Sequence, residues 1–234
     1  MKEVCYKDLG RMAYSECWDL QRSLFERMLA AKSAEASGGL QGENTPEAGW
    51  LLLVEHNPVY TLGKSGKSSN MLVTEEYLRS IGAEFFHIDR GGDITFHGPG
   101  QIVGYPILDL ERLGIGLRDY IDSLEQAVIE VCDMWGVAAG RIKGASGVWI
   151  EPAGLRPRKI CAIGVRASRY VTMHGFAMNV ATDLRYFSHI NPCGFVDKGV
   201  TSLEKEVGHE VDIEQVKIHI INRLSEKLNV KIYK

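Results

Sequence analysis

Arg90-Gly91-Gly92-Asp93-Ile94-Thr95-Phe96-His97-Gly98-Pro99-Gly100-Gln101 puts four glycines and a proline into twelve residues that also carry three ionisable groups. So much glycine forfeits packing and chain entropy, and is tolerated where a backbone turns sharply or lets something approach closely. On composition alone the stretch reads equally well as a pair of strand-connecting turns. Its flanks tilt the reading. Phe85-Phe86-His87-Ile88 before it and Ile102-Val103-Gly104-Tyr105-Pro106-Ile107-Leu108 after it are strand-like, so the glycine segment is expected to be anchored at both ends inside a sheet and to form the wall of a binding site.

The rest of the chain supplies a core large enough to hold such a wall. Its 234 residues are 45% hydrophobic, and no break in composition demands a second domain, so residues 1–234 are expected to form a single domain. A formal charge of −3 and the lack of a recognisable motif argue against nucleic acid. The acidic residues near Met1 are unlike a signal or transit peptide, and no apolar run approaches the roughly 20 residues of a spanning helix. A cytoplasmic protein without membrane contact is expected. The five cysteines, Cys5, Cys17, Cys132, Cys161 and Cys193, are odd in number and form no CxxC pair, which argues against a disulfide framework or a structural zinc site.

Apolar positions at helical spacing predict amphipathic helices over Arg11–Lys32, Leu117–Trp135 and Asp212–Leu228, with a short one after the Thr74 cap and a helical segment at Leu184–His189. Ser33–Gly49 reads as a loop. Trp50–Glu55 reads as a buried strand, Gly147–Glu151 and Lys159–Val165 as a hairpin, Tyr170–Val180 and Val230–Ile232 as further strands. Gly63-Lys64-Ser65-Gly66-Lys67-Ser68 is tempting as a phosphate loop, but Thr61 stands where the pattern needs glycine, so a mobile turn with solvated lysines is expected.

Cys17 and Cys132 fall on or beside apolar stripes, as small core residues do. Cys193, between Pro192 and Gly194, sits in an irregular turn instead. A free thiol titrates near ~8.5, so a nucleophilic cysteine there needs a neighbouring base or cation, and an accidental loop cysteine is the open alternative.

Four segments, taken in order, resemble the lipoate-biosynthesis octanoyltransferases: Arg90–Gln101, Lys159-Ile160-Cys161-Ala162-Ile163-Gly164-Val165, His174-Gly175-Phe176-Ala177-Met178-Asn179 and Asn191-Pro192-Cys193-Gly194. The resemblance covers roughly Trp50 to Leu203. The resemblance implies an acyltransferase moving an octanoyl group from octanoyl-acyl carrier protein to a lysine of lipoyl domains, those of 2-oxoacid dehydrogenase E2 subunits and the glycine cleavage H protein. No cofactor is implied. It places the acyl-accepting nucleophile at Cys193 and the lysine that activates it at Lys159. It places substrate binding on Arg90, Gly91, Gly92, Asp93, Ile94, Thr95, Phe96 and His97, on Ala162, Ile163 and Gly164, and on Gly175, Phe176 and Ala177. It also implies an α/β fold, a mixed β-sheet with packed helices resembling the biotin/lipoate protein ligase catalytic domain.

The residue types suit that chemistry. Thiolate attack on a thioester conserves the activated bond without ATP, and a lysine can stabilise the thiolate as ammonium or accept a proton as amine. The small residues are expected to leave a slot for the acyl chain, each buried methylene contributing ~0.8 kcal/mol. His97 and His174 read either as groups orienting the thioester or as satisfied structural histidines. Cys161 departs from the family, which usually has a small residue such as alanine there. Rival readings are an ATP-dependent lipoate ligase, for which no nucleotide loop is evident, and an octanoyl amidotransferase between lipoyl domains. No metal is expected, because no ligand spacing supports one. The basic run Arg156, Arg158, Arg166 and Arg169 around Lys159 suggests a rim for an acidic carrier.

Overall fold

Trp50-Leu51-Leu52-Leu53-Val54 is apolar without alternation because both faces of its strand are covered. Leu51 and Leu53 point into one core, Trp50, Leu52 and Val54 into another. The structure, a computed structural model, describes residues 1–37, 45–191 and 198–234. In chain order these form β1 (Lys2–Met12), α1 (Tyr14–Ala36), β2 (Gly49–His56), β3 (Val59–Leu62), α2 (Glu75–Ser80), β4 (Glu84–His87), β5 (Ile94–His97), β6 (Gln101–Leu108), α3 (Leu110–Leu113) and α4 (Leu117–Met134). There follow β7 (Ala139–Ile142), β8 (Ala145–Ile150), β9 (Arg158–Ser168), β10 (Val171–Asn179), β11 (Gly199–Val200), α5 (Leu203–Val207), α6 (Ile213–Lys227) and β12 (Val230–Tyr233), with single 3₁₀ segments at Ser68–Asn70 and Leu184–His189.

The main sheet is mixed, in the order β12-β1-β2-β6-β10-β9-β8-β7, with β11 added beside β9. Helix α1 packs on one face through Cys17, Leu24, Phe25 and Met28, and α4 and α6 cover the other through residues such as Leu124, Val128, Ile220 and Leu224. A second, three-stranded sheet, β4-β3-β5, stands against it. The expected mixed α/β architecture is therefore the one observed.

Several local expectations need correction. The glycine stretch is not held inside one sheet: its middle, Ile94–His97, is itself strand β5 of the small sheet, while Gln101 opens β6 of the large one. The stretch thus bridges the two sheets. The first helix begins at Tyr14 rather than Arg11, because Lys2–Met12 is captured as a strand between β2 and β12. That pairing is long-range, and no local periodicity announces it. The Gly63–Ser68 turn is fixed at its start rather than mobile, since Gly63, Lys64 and Ser65 donate their backbone N–H groups to the carbonyls of Asp93, Arg90 and Gly92. Lys64 and Lys67 are exposed, as expected. Cys193 lies outside the described residues, as do residues 38–44 of the expected loop.

Candidate active site

Strands β9 and β10 bring two of the quoted motifs side by side. Their antiparallel register sets Ala162 opposite Ala177, Ile163 opposite Phe176 and Gly164 opposite Gly175. The glycine stretch closes over them from the small sheet, with Gly91 N donating to Val165 O at 2.9 Å. Between these walls lies a cavity of about 240 Å³. Arg90, Gly92, Asp93, Ile94, Thr95 and His97 line it from one side, and Lys159, Ala162, Ile163, Gly164, Gly175, Phe176 and Ala177 from the other. Gly91 and Phe96 do not reach it. Phe96 turns instead into the small sheet's own core, stacked on Tyr186 with ring centroids 4.6 Å apart.

Lys159 reaches the cavity because of a β-bulge. Val148 pairs with Cys161 but Trp149 with Lys159, so Ile160 is an extra residue in β9. A bulge of this kind breaks the two-residue alternation and re-aims the side chains on either side of it. Ile160 and Cys161 both enter the core beneath α4, while Lys159 and Ala162 both face the cavity. Lys159 is not on a sheet edge: Trp149 pairs with it from β8 and Val200 from β11. Its Nζ lies 4.6 Å from the centroid of the Trp149 ring, a cation–π contact that holds the ammonium in place. Cys161 is fully buried, its thiol pushed up by desolvation, and Cys17 and Cys132 are buried with thiols pushed up to about 12 for the same reason. These three are poor sources of thiolate.

The glycines serve a different purpose from the one expected of them. A Cβ on Gly164 would stand 2.8 Å from Gly91 O, and one on Gly175 2.2 Å from Gly104 O. The space that their missing side chains leave is filled by neighbouring backbone rather than left open for acyl methylenes. They let three chain segments close on one another, and the short side chains of Ala145, Ser146, Ala162 and Ala177 are small groups that remain on the cavity wall.

Polar groups in this apolar setting are held by defined partners. Arg90 is 8% exposed and donates from Nη2 to Thr61 O at 2.7 Å and Thr61 Oγ1 at 3.0 Å, and from Nη1 to Gly91 O at 3.0 Å. Thr61, which spoils the phosphate-loop pattern, is thus a support for the glycine stretch. Asp93 accepts from Ile94 N at 2.7 Å and from the Asn70 amide. His97 Nδ1 meets Gln101 Oε1 at 2.8 Å, and burial, with His56 nearby, pushes its pKa down to about 3. His174 stacks no charge into the cavity either: burial holds it neutral, and its Nε2 donates to Asp89 Oδ1 at 2.9 Å. Asp89 also pairs with Arg166, and its carboxyl is held below the ordinary range, first by the His174 hydrogen bond.

Reasoning from the sequence missed Tyr14, Tyr105, Gln101 and Asn179, all on the cavity wall. Gln101 and Asn179 closed two of the quoted motifs and could have been nominated as polar residues flanking apolar strands. Tyr105 lies within an apolar run and Tyr14 at the start of an amphipathic helix, where nothing separates a cavity tyrosine from a core one. The proposed basic rim is largely consumed internally. Arg158 forks onto both carboxylate oxygens of Glu206 at 2.6 Å and also meets Glu151, Arg166 is engaged by Asp89, and Arg169 donates to Ser33 Oγ at 2.8 Å. Among the described residues, no three His, Cys, Asp or Glu side chains converge as metal ligands, and no helix is long and apolar enough to cross a membrane.

A mixed sheet covered by helices, with a glycine-rich bridge closing an apolar cavity beside a lysine, is the architecture of a known catalytic domain, and residues 13–225 match the model of the lipoyl protein ligase A/B catalytic domain. A bipartite lipoate protein ligase from Thermoplasma acidophilum superimposes with a TM-score of 0.70 at 16% identity, covering 100% of this chain and 86% of that one. Within that class the sequence is more specific. It is 57% identical to an octanoyltransferase of Bacteroides fragilis over 90% of this chain and 91% of the relative, and 47% identical to one of Flavobacterium johnsoniae over 99% of each. The chain belongs to the octanoyltransferases of the lipoyl protein ligase A/B family. It is an enzyme of octanoyl transfer in lipoate biosynthesis.

Proposed function

We propose that the chain acts in the cytoplasm as one catalytic domain over residues 1–234, taking its octanoyl group from octanoyl-acyl carrier protein and delivering it to the target lysine of lipoyl domains through a thioester on Cys193. The observation that carries this reading is the re-aiming of Lys159 into the cavity by the Ile160 bulge. The described chain on either side of the Cys193 segment supports it. Asn191 N donates to Asn70 O at 2.8 Å, Asn70 bonds Asp93 on the cavity wall, and Val200 pairs with Lys159.

In the first half-reaction the Cys193 thiolate attacks the donor's carbonyl carbon, a new C–S bond forms, and the carrier's thiolate leaves. In the second, the acceptor amine attacks the same carbon, the C–N bond forms and the C–S bond to Cys193 breaks. The proton shed by nitrogen passes to the departing sulfur by way of Lys159. Arg90, Gly92 to Thr95, His97, Ala162 to Gly164 and Gly175 to Ala177 enclose the acyl chain and its carbonyl. The likeness to a ligase solved with its E2 lipoyl domain agrees with a lipoyl-domain acceptor.

Mixing the protein with octanoyl-acyl carrier protein in the absence of ATP tests this by intact mass. One octanoyl adduct labile to hydroxylamine is expected, retained in Cys161→Ala and lost in Cys193→Ser. Lys159→Arg is expected to stop turnover, since arginine keeps the charge but cannot give up its proton. Loss of the adduct in Cys161→Ala with retention in Cys193→Ser would overturn the assignment.

A further inference from the structure

His97 is only 6% exposed, lines the cavity, and stands at the end of a hydrogen-bonded chain whose direction is fixed by two backbone carbonyls. Asn179 Nδ2 donates to Thr201 O at 2.9 Å, so the atom that Asn179 turns the other way is its acceptor, Oδ1. Gln101 Nε2 donates to that Oδ1 at 2.8 Å and to Phe96 O at 3.2 Å. Both hydrogens of the Gln101 amide are thereby used, and the atom facing His97 is Oε1, which can only accept. The proton of the neutral imidazole is therefore on Nδ1, and Nε2 carries a lone pair.

That lone pair has no hydrogen-bond partner among the described residues. His56, Tyr105 and His174 are committed elsewhere. His56 donates from Nδ1 to Met12 O at 3.0 Å, so its Nε2 takes the Tyr105 hydroxyl at 2.8 Å. His174 gives its Nε2–H to Asp89. The Tyr14 ring lies parallel to the His97 ring with centroids 6.2 Å apart. An acceptor that is nine-tenths buried, fixed in direction and unmatched among the described residues is complementary to an N–H or O–H of what enters the cavity.

We propose that Gln101 and Asn179 are positioning residues that hold His97 Nε2 as the hydrogen-bond acceptor for one N–H of the lysine amine in the second half-reaction, an inference that rests on the reading given under Proposed function. Accepting one N–H turns the amine's lone pair toward the thioester carbonyl and stabilises the positive charge that grows on nitrogen as the C–N bond forms and the C–S bond breaks. The proton leaving nitrogen still goes to sulfur by way of Lys159. His97 keeps its own protonation state throughout, because burial makes it far too weak a base to take that proton. The donor's thioester exchange involves no such amine, so the two half-reactions depend on the network to different degrees.

Gln101→Glu provides the test, since a carboxylate at this position favours protons on both ring nitrogens and converts Nε2 from acceptor to donor. Octanoyl loading from octanoyl-acyl carrier protein and transfer from the loaded enzyme to an apo lipoyl domain are measured separately in single turnovers. Transfer is expected to slow by about tenfold more than loading. Nitrogen-15 spectra of the histidines report the cause directly: Nε2 of His97 is expected to be unprotonated in the wild type and protonated in Gln101→Glu. A wild-type His97 protonated at Nε2, or equal loss of loading and transfer in the variant, would overturn this inference alone. A wild type that takes up no octanoyl group would overturn the reading of the site and this role for His97 with it.

Discussion

Acidification from pH 7 to pH 5 is expected to destabilise the fold through its buried histidines, well before carboxylates titrate. Burial lowers His56 from an ordinary 6.5 to about 4 and His97 to about 3. These are bases with depressed folded-state values, so below about pH 6.5 the unfolded chain binds protons that the folded chain refuses, and stability falls as pH falls. Each ring contributes about 1.4 kcal/mol per pH unit between the two values. From pH 6.5 to pH 5 that is about 2 kcal/mol per ring and about 4 kcal/mol for the pair. His174, lowered by burial, acts in the same direction. Asp89, held below its ordinary range chiefly by His174, titrates below this window. For a chain of this size the pair corresponds to a fall in Tm of about 8–16 °C. Thermal melts across the pH range measure it. His56→Gln is the control, because a glutamine amide can still donate to Met12 O and accept from Tyr105, and it should remove about half of the slope. A Tm that moves by less than about 3 °C, or an unaltered slope in the control, would refute the reasoning.

Two further outcomes follow from the packing. Gly175→Ala should lower the unfolding free energy by about 1–3 kcal/mol in urea titrations, because its Cβ would stand 2.2 Å from Gly104 O and 2.6 Å from Pro106 Cδ. Arg158→Glu should reduce kcat/KM for octanoyl-acyl carrier protein and for a small octanoyl thioester alike, with a lowered Tm, since it breaks the fork onto Glu206; a loss confined to the carrier would restore Arg158 to a docking role.

The strands and helices that were legible in the sequence are those whose burial is decided locally. Trp50–Val54 is apolar on both faces and Asp212–Leu228 on one stripe, and both lie within a residue or so of where the pattern put them. What stayed hidden depends on partners far along the chain. Lys2–Met12 is polar on much of its length and becomes a strand only because β2 and β12 flank it. The charge run around Lys159 looked like a surface because its counter-charges, Asp89 and Glu206, come from distant segments. For the site, motif order gathered most of the wall, but not the reason that the wall faces inward.

That reason lies in two features of the backbone that a residue pattern does not carry. Strict alternation along β9 would put Lys159 on the same face as Cys161, and one of the two would have to be wrong: either the lysine enters the core beneath α4 or the cysteine enters the cavity. The extra residue at Ile160 removes the conflict, giving the core two apolar neighbours in succession and the cavity Lys159 and Ala162. The close approaches at Gly164 and Gly175 then bring the glycine stretch and β6 against β9 and β10 and bury the polar atoms of the cavity wall. Desolvation follows from that closure, and neutral His97 and His174 follow from the desolvation. Lys159, resting on the Trp149 ring, thus faces the same cavity as neutral histidines, and that placement is what supports the proton-moving role proposed for it in acyl transfer.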